Sequence, residues 1–138
     1  GVRLSATDYL EGGWSLDDTV KVCGLLKGRG CDFATISSGG LSLEQNVPIG
    51  EGHQVEFAKT VRQETGLPVM AVGMIYRPEH AENIVASGDA DLVALARGML
   101  HDPHWPWRAA AKLSAEIHYP PQYIRGYKSR WHRELRKS

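Results

Sequence analysis

Apolar and polar residues alternate through "VRLSATD" at positions 2–8, and that period of two predicts a short strand. The period then changes. Leu16, Val20, Cys23 and Leu26 recur three or four positions apart, which places them on one face of a helix. Ser15 followed by Asp18 supplies a capping-box start with Asp in the usual Glu position, and "KGRG" supplies the stop. A second strand reads "CDFATIS", followed by the glycine-containing loop "SGGLSLEQNVPIGEG" and a helix near 53–66 carrying Val55, Ala58 and Val61 on one side. "LPVMAVG" is the third strand. Pro78 suits the first turn of a third helix, whose apolar face is Ala81, Ile84 and Val85 and whose end is Ser87-Gly88. "DLVALA" is the fourth strand and "WPWRAAAKLSAE" a fourth helix, beyond which the prolines of "IHYPPQY" forbid continuation.

Strict βα alternation with apolar strands implies a parallel sheet covered by helices. A doubly wound nucleotide-binding sheet would carry a G-x-G-x-x-G turn after its first strand, and "YLEGGW" does not have it. A (β/α)8 barrel instead collects functional residues at the ends of several strands. Here Arg3 lies in the first strand, Ser37, Ser38, Gly39 and Gly40 end the second, Gly73 and Met74 end the third, and Arg97 ends the fourth. A whole barrel takes about 250 residues, so 138 residues with four units correspond to half of one. Residues 1–118 are read as the four units and 119–138 as a C-terminal tail.

Composition narrows the partners. Sixteen basic residues balance sixteen acidic ones, leaving no global field to attract nucleic acid or an anionic membrane. No apolar run approaches the roughly 18 residues of a membrane span, and the N-terminus lacks signal-peptide regions, so a soluble cytoplasmic protein is expected. Cys23 and Cys31 fit neither a zinc spacing nor a disulfide framework and read as free thiols. His101 and His104 share a helix spacing but are too few ligands for a metal, so none is expected. In "ARGM", a guanidinium stands where a strand turns into a helix, and such a charge needs an anion beside it.

The stretches "VRLSATD", "ATISSGG", "PVMAVGMI", "ADLVALARGMLHDPHWPWRAA" and "PPQYIRGY" resemble, in order and spacing, the C-terminal half of the old yellow enzyme family, FMN-dependent ene-reductases on a (β/α)8 barrel. The similarity runs from Val2 to about Tyr127 and implies strands five to eight of that barrel, in its thermophilic-like branch. It implies an FMN site in which Arg3 faces the N1 and C2 carbonyl edge of the flavin, where reduction places negative charge. Gly73 and Met74 then bring backbone N–H groups to the FMN phosphate, and Ala96 and Arg97 match the glycine-arginine pair that holds that phosphate. Ala96 departs from the commoner glycine and points a methyl group at the approach. Ser38 and Gly39 border the flavin or substrate pocket. Tyr123 and Arg125 match a tail that reaches into a neighbouring subunit's site, which would make a homo-oligomer; a solvated basic tail of Arg125, Lys128, Arg130, Arg133, Arg136 and Lys137 is the alternative. Trp105 and Trp107 are expected to pack in the core or an interface.

The family's substrate-anchoring His-His or His-Asn pair, its proton-donor tyrosine and its flavin-tuning strand-one residue all fall outside this sequence, so no catalytic residue is assigned within it. The resemblance implies NADPH or NADH as reductant, hydride transfer to an activated alkene of the enone type, and the N-terminal half of the barrel as a partner, in the same or a companion chain. The chain alone is expected to be inactive. The absence of a cysteine cluster after Cys31 argues against the relatives that add an iron–sulfur cluster. A non-flavin barrel enzyme for a phosphorylated metabolite and a non-catalytic half-barrel assembly subunit stay open.

Overall fold

The computed structural model of the chain describes residues 1–126; Lys128, Arg130, Arg133, Arg136 and Lys137 of the expected basic tail lie outside them. Four strands, β1 (Val2–Ser5), β2 (Ala34–Ser37), β3 (Val69–Ala71) and β4 (Leu92–Val93), form one parallel sheet in sequential order. Helices α1 (Leu16–Lys27), α2 (Val55–Thr65) and α3 (Pro78–Ala86) make the crossovers. Short α4 (Arg97–His101) and α5 (Trp105–Lys112) follow β4, and a 3-10 turn covers Pro121–Gly126. Sequential parallel order with a helix after every strand is the arrangement of half a (β/α)8 barrel.

Strand register sorts the side chains into two sets. Leu4, Ile36, Ala71 and Val93 are aligned across the sheet, as are Val2, Ala34 and Val69, and these rows face the helices. Ala34, Ile36, Val69 and Ala71 are wholly buried there against Cys23 of α1, Val55, Ala58 and Val61 of α2, and Ala81 and Ile84 of α3. Full burial of one such branched side chain stabilises the fold by about 1.5–3 kcal/mol. Between those rows, Arg3, Thr35, Met70 and Leu92 point to the opposite face, where Arg3 and Leu92 are exposed.

Polar groups fix the helices at chosen points. Both halves of the Ser15–Asp18 capping box form. The buried Thr19 hydroxyl donates to the Ser5 carbonyl at 3.0 Å and accepts from Trp14 Nε1 at 2.6 Å, tying α1 to the end of β1. Gly66 closes α2 in the left-handed region at φ 59°, and Lys27 donates to the carbonyls of Thr65 and Gly66 at the helix end. Asp91 takes both its oxygens to Arg62 Nε and accepts from the Val69 N–H at 2.9 Å, so one carboxylate ties α2, β3 and the start of β4 together.

Two details depart from the expected elements. The fourth strand is two residues long because pairing stops at Ala71 and Val93, with one further bond from Ala94 N–H to the Ala71 carbonyl. At Arg97 the chain turns from strand into the short helix α4. It stops at Asp102, whose extended backbone (φ −137°, ψ 89°) is what the following Pro103 demands. Helix α5 ends at Lys112 instead of 116, since Ser114 turns to φ 56°. Cys23 and Cys31 are both free, the first fully buried. Among the described residues, no helix is long and apolar enough to cross a membrane.

Candidate functional site

The loops at the carboxyl ends of the strands enclose a cavity of about 600 Å³, within the range of cofactor pockets. Arg3, Ser38, Gly73, Met74, Ala96 and Arg97 all line it. Four separate βα units therefore contribute to one rim, and Gly73 and Arg97 sit together on it.

Each contribution has a local cause. Arg3 reaches the cavity because it belongs to the row that turns away from the helices; its Nε donates to Ser37 Oγ at 3.4 Å. Gly73 adopts φ 120°, and a Cβ there would stand 3.0–3.2 Å from the side chain of Gln54. Its carbonyl is held by the Gly52 N–H at 2.9 Å. Met74 follows at φ 51°, a left-handed conformation that a non-glycine residue adopts at a cost of order 1 kcal/mol. Ala96 is the N-cap of α4 and Arg97 its first residue.

Three arginines are paired with carboxylates. Arg62 pairs with Asp91, Arg77 with Glu51 at 2.8 Å, and Arg108 with Asp102, a half-dozen residues earlier in the chain. Among the described residues, neither Arg3 nor Arg97 meets a carboxylate. Two guanidinium groups thus face one cavity without a carboxylate from the described residues, and a planar fork of N–H donors is suited to phosphate or carboxylate. A glycine at φ 120° gives backbone the close approach that such an anion needs. The site fits a phosphorylated cofactor.

Three predicted residues lie elsewhere. Gly39 packs under Val47, whose Cγ2 would be 2.8 Å from an added Cβ, and it is Gly40 that borders the cavity. Tyr123 stands edge-on to Trp107 with ring centroids 4.9 Å apart, and Arg125 belongs to the same 3-10 turn; neither lines the cavity of its own chain. Trp105 packs against the core and donates Nε1–H to the Tyr76 carbonyl at 2.7 Å, while Trp107 stacks on His104. Among the described residues, no three His, Cys, Asp or Glu side chains gather as metal ligands would.

The structure also adds residues that the pattern does not reveal. Val47, Ile49, His53 and Gln54 bring the long loop after β2 over the cavity. Gln54 is buried although it precedes a helix whose neighbouring positions alternate in polarity, and nothing in one sequence marks a glutamine for burial. The loop is anchored by Glu51. The Arg77 guanidinium, and then His80, hydrogen-bond its carboxylate and hold it below the ordinary carboxylate range.

Comparison with known proteins gives the family and the fold. The profile of the "NADH:flavin oxidoreductase / NADH oxidase family" matches residues 1–116. The NADPH dehydrogenase of Geobacillus thermodenitrificans (strain NG80-2) is 39% identical over 127 residues, 92% of this chain and 37% of the relative. The NADPH dehydrogenase of Listeria innocua serovar 6a is 38% identical over the same shares. The chain therefore spans little more than a third of the length of these relatives. Among solved structures, a 2-naphthoyl-CoA reductase in complex with 2-naphthoyl-CoA superposes on 80% of this chain and 17% of its own, with a TM-score of 0.72 at 21% identity, a likeness of fold.

Proposed function

The chain belongs to the NADH:flavin oxidoreductase / NADH oxidase family, and from that premise we propose that its cavity holds the phosphate side of FMN in an NAD(P)H-dependent reductase of activated C=C bonds. The observation that carries this reading is the pair of arginines, Arg3 and Arg97, which meet no carboxylate among the described residues and share one cavity whose rim includes Gly73. When bound, FMN supplies the hydride chemistry, between NADPH or NADH and an alkene conjugated to a carbonyl. The chain's own residues bind and orient. Arg97, together with backbone N–H groups near Gly73, Met74 and Ala96, takes the phosphate. Arg3 places a fixed positive charge against the electron-accepting edge of the ring system, where it favours the reduced, more negative form.

Carbonyl polarisation and proton delivery are assigned to residues outside this sequence, on the four remaining strands of the barrel. Those strands would cover the face that bears Arg3, Thr35, Met70 and Leu92 and pair with the free edges of β1 and β4. Tyr123 and Arg125 are available to a neighbouring subunit, since the 3-10 turn holding them is exposed.

Flavin binding to the native polypeptide carrying these residues tests the reading. Fluorescence titration should show FMN bound far more tightly than riboflavin, which lacks the phosphate, and Arg97→Ala should weaken FMN about ten- to a hundredfold while leaving riboflavin alone. Equal affinity for the two flavins would overturn it. Enone-dependent oxidation of NADPH by that polypeptide, and none by residues 1–138 alone with FMN, is the expected activity result.

A further inference from the structure

Ser38 stands at the centre of a small polar network beside the cavity. Its Oγ lies 2.9 Å from Gln54 Nε2 and 2.9 Å from the Tyr9 hydroxyl. Gln54 Nε2 also donates to the Ser38 carbonyl at 3.3 Å, which fixes that end of the amide as the nitrogen and therefore as a donor only. Gln54 is 7% exposed, and its side chain also lies against the Cα of Gly73. One buried amide thus touches the loops after β2 and after β3 together.

A serine hydroxyl accepts two hydrogen bonds and donates one. Gln54 fills one acceptor position. The phenol of Tyr9 is the more acidic hydroxyl of the pair and hence the better donor to serine, so it fills the second. Tyr9 is held for this contact at φ 53°, another non-glycine residue in the left-handed region. With both lone pairs of Ser38 Oγ so engaged, its own proton is free for an acceptor in the cavity that Ser38, Gly73 and Arg97 line.

We propose that Gln54 is a positioning residue which, with Tyr9, turns the Ser38 hydroxyl into a dedicated hydrogen-bond donor to the phosphate group of the bound cofactor. The inference rests on the flavin-phosphate reading above and deepens it. Gln54 does not touch the phosphate; it removes the alternative orientations of the group that does.

The test compares FMN with riboflavin in the native polypeptide carrying these residues. A donor to a charged oxygen is lost in Ser38→Ala, which should weaken FMN about tenfold and leave riboflavin unchanged. Gln54→Leu should reproduce most of that loss, Tyr9→Phe a few-fold part of it, and Ser38→Ala combined with Gln54→Leu little more than Ser38→Ala alone, because both act on one hydrogen bond. Ser38→Thr keeps the hydroxyl and should keep the preference for FMN. A general loosening of the loop would instead lower affinity for both flavins together. That result, or additive losses in the double variant, overturns the role of Gln54. If the wild-type protein itself does not prefer FMN, it is the flavin-phosphate reading that fails; if it does and Gln54→Leu retains the full preference, only the present inference fails.

Discussion

The two faces of the sheet come from adjacent residues of the same short strands, yet they are built on opposite terms. On the helical side several charges are paired within the fold: Arg62 with Asp91, Arg77 with Glu51, Lys59 with Asp89, Lys112 with Glu79. Ala34, Ile36, Val69 and Ala71 there have no contact with solvent. On the cavity side, Arg3 and Leu92 are exposed, and the guanidinium groups of Arg3 and Arg97 have no carboxylate among the described residues. A side that is satisfied internally holds the fold. A side that is not is prepared for something else, and the difference locates function without reference to any single motif.

Substitutions on the two faces should separate accordingly. The largest effect belongs to the helical side: Ile36→Ala removes a wholly buried side chain and should cost about 3 kcal/mol in urea unfolding, with little change in the ratio of FMN to riboflavin affinity. A loss under about 1 kcal/mol would mean that the helices are not closely packed on this face. Next comes Arg3→Gln, for which FMN affinity should fall about tenfold while stability stays within about 0.5 kcal/mol. Equal losses of both would make Arg3 a structural residue and erase the distinction. Asp91→Asn should cost about 1 kcal/mol at neutral pH through its bonds to Arg62 and the Val69 N–H, moderated by solvent at a side chain one-third exposed. The Arg62 hydrogen bond, chiefly, holds the Asp91 carboxyl below its ordinary 3.8. Its stabilisation is therefore present above that pH and lost as pH falls through the lower folded-state value, so wild type and Asp91→Asn should converge in acid unfolding curves. Smallest of all, Leu92→Gln on the open face should change the stability of residues 1–138 by less than about 0.5 kcal/mol.

The sequence carried the architecture because periodicity is a direct imprint of burial. Alternation in "VRLS" already separates Leu4 from Arg3, and the capping pair Ser15–Asp18 forms as spaced. The rim residues Gly73 and Arg97 were legible through resemblance and through the oddity of an arginine at a strand end. Gln54, Tyr9 and Val47 were not. The positions of Gln54 and Val47 depend on how the loop 38–54 folds back over β2 and β3, and that path is decided by contacts such as Gly52 N–H to the Gly73 carbonyl, between residues far apart in the chain.

Arg3 and Arg97 remain partly open to water in this chain. Dissolved ions can crowd around charges so placed, and the distance over which they are felt shrinks from about 8 Å at physiological ionic strength to about 3 Å in molar salt. A phosphorylated guest held mainly by these two groups would stay on the protein in dilute buffer and wash away in brine. Whether a preparation comes off a column yellow or colourless would then be decided by the eluting salt.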